Sequence, residues 1–190
     1  MAALFDQMSV DLAAMVADKV EFAADNGIWY SAQQREDALN SAIQQIARKA
    51  IADKDFDALV PYMKKSSQSI TGAGDLVITF DDTFVGIYEA TLDGRPLIVL
   101  RGMPRKDFIY SLRPYSHVAV HNDGGTYKAV SPDWSMNNSG TATLTVIWVS
   151  VPRYSRGGAT DIPQCFHDQF RSSILMLAQQ YLAQIEVQTV

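Results

Sequence analysis

Three histidines and a single cysteine are the side chains in this sequence best suited to holding a metal or attacking a substrate. His117 and His121 lie four apart in a run that reads as a strand, so both project to one side, roughly 13 Å from each other. One ion cannot bridge that span. Cys165 and His167 offer the thiolate and imidazole that zinc favours. They are two apart on a predicted helix, about 200° around its axis, and so diverge. A helix N-terminus would make the Cys165 thiol more acidic, but no third group is readable to orient it, and a small side chain beside Phe166 packs as it stands. No Gly-x-Ser-x-Gly elbow marks a serine nucleophile. Asp81 and Asp82 are adjacent, between Phe80 and Phe84; in a strand they would face opposite ways, so they read as a turn and not as a glycosidase pair. Gly72-Ala73-Gly74 lacks the preceding strand and the following helix and lysine of a phosphate loop. Asn137-Asn138-Ser139 fits the glycosylation pattern but comes without a secretory signal. These residues predict no catalytic, cofactor-binding or metal site, and the chain is not expected to be an enzyme.

Other residues point to contact with a partner. Trp134 and Met136 fall in the polar loop Ser131–Gly140, and a tryptophan in such a loop either folds back onto a sheet or anchors a contact. Arg153, Tyr154 and Arg156 cluster just after a strand, and arginine and tyrosine are enriched at interfaces. The alternative for this cluster is simply to cap the end of that strand.

The bulk composition narrows the classes. With 47% hydrophobic and 19% charged residues over 190 positions, the chain can bury a core and is not expected to be disordered. Sixteen Lys and Arg against 21 Asp and Glu leave a net charge of -5, which argues against tight nucleic-acid binding, because that depends on cations displacing phosphate counterions. A single cysteine allows no intrachain disulfide. Asp6, Asp11 and Asp18 interrupt the apolar runs near the start, so no signal peptide is expected. No stretch approaches the roughly 20 apolar residues of a membrane span. A soluble cytoplasmic protein is the plain expectation.

The elements that would position these residues follow from periodicity. Leu4, Met8, Leu12, Met15, Val16, Val20 and Phe22 step by three and four along a first helix that Asn26-Gly27 should stop. Ser31 opens a second, with Gln34 completing a capping box and Leu39, Ala42, Ile43, Ile46 and Ala50 as its buried file. A short third helix is expected near Asp57–Lys65, anchored by Phe56, Leu59, Val60 and Met63. Strands follow at Leu76–Phe80 and Phe84–Leu92. Asp93-Gly94 turns the chain into a return strand, Arg95–Leu100. Pro104–Leu112 reads as a short helix. Strands at His117–His121 and Thr126–Val130 flank Asn122-Asp123-Gly124-Gly125, and a long strand runs from Thr141 to Val151. The last helix carries Phe166, Phe170, Ile174, Leu177, Tyr181 and Ile185 on one stripe, with Asp161 as its cap and Pro163 in its first turn.

The fold class expected is α+β with segregated layers: a helical bundle of the N-terminal helices and the long C-terminal helix, carrying an inserted antiparallel β subdomain. One domain should span 1–190, helical over 1–66 and 161–187 and β-rich over 67–152.

The order of elements and their punctuation resemble a known family. A capped helix (Ser31, then Leu39-Asn40-Ser41-Ala42) is followed by a short helix over Asp57–Met63. A hairpin with Gly94, Arg95 and Leu97 comes next, then Tyr127–Pro132, a Leu144–Pro152 strand and the helix start Asp161-Ile162-Pro163-x-x-Phe166-x-Asp168. Over roughly residues 30–185 this resembles the head-to-tail adaptor (connector) proteins of tailed bacteriophages, of the tail tubular protein A type. The motifs are of low specificity singly; their order and spacing carry the likeness. The resemblance implies a structural virion protein, assembled in the host cytoplasm, in a dodecameric ring between the portal protein and the tail or nozzle protein. DNA would pass through the bore without sequence-specific binding. It also implies portal contacts near the C-terminus, at Gln184, Val187 and Val190, although the long C-terminal extension of many members is missing here. No cofactor is implied. Two readings from other classes stand beside it: a small hydrolase of cell-wall polymer using acids such as Asp81, Asp82 and Glu89, and a ligand-binding α+β module.

Overall fold

The computed structural model of the chain describes residues 3–20, 30–72, 74–100, 117–131 and 140–188. The expected stop at Asn26-Gly27, the helix at Pro104–Leu112, Phe22 and the Trp134/Met136 loop all lie outside them. Among the described residues the fold is mixed α+β, with two antiparallel-rich sheets and four helices, of which the C-terminal one is the longest. Two compact units divide the chain, one formed by residues 1–61 and 152–190, the other by the inserted residues 62–151.

The first unit holds α1 (Leu4–Val20), α2 (Ala32–Asp53), α3 (Phe56–Leu59) and α4 (Gln164–Gln188). Ser31 accepts a hydrogen bond from the Gln34 N–H and donates its own N–H to Gln34 Oε1, so the capping box forms as the sequence predicts. Leu39, Ala42, Ile43, Ile46 and Ala50 are all buried. On α1, Phe5, Met8 and Leu12 are the fully buried residues, while Leu4, Met15 and Val16 are half-buried. On α4 the buried file is Phe166, Ile174, Leu175, Ala178 and Leu182. Leu177 and Tyr181, expected in the core, are only half-buried. Ala178 and Leu182 take the inward positions instead.

The third helix is shorter than expected. It ends at Leu59, passes through a 3-10 turn at Val60–Tyr62 and becomes a strand at Met63. Pro61 explains the stop: it has no N–H for the helical ladder and its ring clashes with the preceding turn. Phe56 and Val60, read as anchors, are about half exposed, while Leu59 and Tyr62 take the buried positions.

The second unit is two facing four-stranded sheets. One has the order β1-β8-β3-β4, from Met63–Thr71, Thr141–Ser150, Phe84–Leu92 and Arg95–Pro96, all antiparallel. The other has the order β2-β7-β6-β5, from Leu76–Thr79, Thr126–Ser131, His117–Asp123 and Ile98–Leu100. Ala142, Leu144, Val146 and Trp148 alternate inward along β8 and meet Leu76, Ile78, Val118 and Ala129 of the opposite sheet in one apolar cluster.

Two expectations for this unit are corrected. The single return strand at Arg95–Leu100 is two short strands in different sheets. Pro96 cannot extend the ladder with β3, and after buried Leu97 the chain crosses to pair β5 with β6. That pair is parallel, so the β region is not purely antiparallel. The turn itself is as read: Asp93 and Gly94 both take positive φ, +48° and +77°, the combination that a tight hairpin of matching twist requires.

Candidate functional site

After β8 the chain runs through Gly157-Gly158 before the last helix begins. In the structure it is strapped to the helices. Tyr154 lies in the core of the helical unit, 1% exposed, with its ring 5.7 Å from that of Phe5. Its backbone N–H donates to Asn40 Oδ1 and its carbonyl accepts from Asn40 Nδ2, both at 2.8 Å. Asn40 therefore pairs with the strap as a neighbouring strand would, and its amide also donates to the Glu36 carbonyl. Further along, the Arg156 N–H donates to Glu36 and the Gly157 N–H to Asp6. Arg153 forms an ion pair with Asp37. Tyr154 is thus corrected from an interface candidate to a core residue, because an aromatic ring in this strap is worth more buried than in water. Arg153 and Arg156 remain at the surface.

Asp161 is also reassigned. It was expected to cap the last helix, yet its carboxylate accepts from the backbone N–H groups of Leu4 and Phe5, at 2.7 and 2.9 Å, capping α1 instead. Burial pushes its pKa up, but the N–H groups of Phe5, Leu4 and Ile162 and the nearby His167 outweigh that and hold it below the usual carboxylate range. His167 is buried with Nδ1 3.0 Å from Asp168, while Cys165, two residues earlier, is exposed, so thiol and imidazole point apart. Asp168 itself is held down by Gln164 and then His167.

Asp81, the acid that motivates a hydrolase reading, is a structural latch. Thr83 and Ser150 donate to its Oδ1, and Lys64 sits 2.6 Å from Oδ2. Burial opposes ionisation, but the bonds from Lys64, Ser150 and Thr83 and the charge of Lys64 prevail, leaving a pKa of about 2. A carboxyl so acidic cannot serve as a general acid near neutrality. Asp82 and Glu89 are exposed and lie outside this network. Among the described residues, no group of three or more His, Cys, Asp or Glu side chains is placed to hold a metal ion. No described helix is long and apolar enough to cross a membrane.

The remaining interface candidates are scattered. Gln184 is exposed on α4, and Val187 falls within that helix, though only its backbone is described. Val190, Trp134 and Met136 lie outside the described residues. The anchors of the Trp134 segment are nonetheless fixed. Ser131 pairs with Leu76 at one side, and the Gly140 carbonyl accepts from the Gly72 N–H at the other. Both anchors stand at the end of the β unit opposite Met63 and Val149, where the chain enters and leaves.

Sequence reasoning missed Asn40 and misassigned Asp161. The signal for Asn40 was present as a lone amide inside an apolar helix file, since a buried amide must find partners. Nothing local points to Tyr154, 114 residues away. No protein-family model matches this chain, and no curated protein matches it either.

Proposed function

We propose that this chain is a head-to-tail adaptor of a tailed bacteriophage, a structural subunit of a ring between portal and tail. In this reading the helices contributed by both chain ends form a bundle that packs around the ring and against the portal protein. The inserted β unit faces the tail or nozzle protein. The observation that carries the reading is the way the insertion is built. The β unit enters and leaves at neighbouring strand ends, Met63 beside Val149, and the Trp134 segment is anchored at its opposite end. A segment carrying a tryptophan and a methionine between two such anchors suits a docking tip. The ring is dodecameric, belongs to the neck of the virion and is assembled in the host cytoplasm. A subunit of net charge -5 suits a conduit, because an acidic bore repels DNA and lets it slide. Arg153, Arg156, Gln184, Val187 and Val190 are the contact candidates on the helical unit.

The test is to mix the purified chain with portal protein, and separately with tail protein, and to image the products by electron microscopy. Annular particles containing the chain are expected with at least one of them. Mixtures in which neither gives rings overturn the reading.

A further inference from the structure

We draw no further inference here: the strongest candidate, the ladder of hydroxyl pairs on the outer face of β1 and β8, where Ser67, Ser69 and Thr71 bond to Thr145, Thr143 and Thr141, is an exposed sheet face, and nothing in the structure shows what covers it.

Discussion

Asn40 holds two distant parts of the chain together through one side chain. Its oxygen accepts from the Tyr154 N–H, and its amide donates to the carbonyls of Tyr154 and Glu36, with Asn40 and Tyr154 both buried. Asn40→Ala would leave the N–H and carbonyl of Tyr154 without their partner in a dry environment. We expect a loss of about 3 kcal/mol of stability in the helical unit, because each buried orphan costs roughly 1–3 kcal/mol. Denaturant unfolding followed by helical circular dichroism measures it. Asn40→Asp keeps the acceptor but sets a carboxylate against the Tyr154 and Glu36 carbonyls in place of two donors, so it should cost at least as much as Asn40→Ala. That Asn40 is unusual was readable from its place in the file Leu39-Asn40-Ala42-Ile43. Its partner was not, because only the folded chain brings position 154 beside it. Asp161 teaches the same lesson: an acid just before a proline-started helix looks like that helix's cap, yet its carboxylate reaches α1, more than 150 residues earlier.

Most regular elements were legible because local chemistry marks them. The capping box opens α2, and Asp93-Gly94 and Asn122–Gly125 mark the turns of both hairpins. Strand β1 was not legible. Its outward residues Ser67, Ser69 and Thr71 are hydroxyls bonded across to Thr145, Thr143 and Thr141 of β8, at 2.8–2.9 Å. An edge strand satisfied by hydroxyl pairs lacks the apolar alternation by which strands are recognised. At the other end of the same sheet, Asp81 joins β1 through Lys64 and β8 through Ser150. Its folded pKa, about 2, lies below its ordinary 3.8. A depressed carboxyl stabilises the fold above its unfolded pKa, and that contribution disappears as pH falls through the folded value. The latch should therefore hold fully above about pH 4 and be lost between about 4 and 2. With the side chain nearly one-third open to water, screening reduces its worth to about 1 kcal/mol. Asp81→Asn should remove that part of the acid dependence, measured as unfolding midpoints at pH 5 and pH 3.

At the scale of the molecule, the division into two units sets what can be separated. Met63 pairs with Val149, so the β unit begins and ends on adjacent strands, and among the described residues its apolar cluster is built from the unit's own side chains. Residues 62–151 expressed alone should fold, giving a β-type circular dichroism spectrum and a cooperative thermal transition. A spectrum of unstructured chain would show that the insertion depends on its host. The helical unit is built differently: α1 and α2 are tied to residues 154, 157 and 161 and, through Arg171 to Asp11 and Tyr181 to Gln45, to α4. Synthesis on the ribosome proceeds from the N-terminus, so the opening helices emerge long before the segments that complete their core. The sandwich has all it needs once Val151 has cleared the exit tunnel. The middle of this polypeptide should thus mature first. Its flanking helices would close around each other only once α4 has emerged, leaving the earlier helices as the stretch in need of a chaperone.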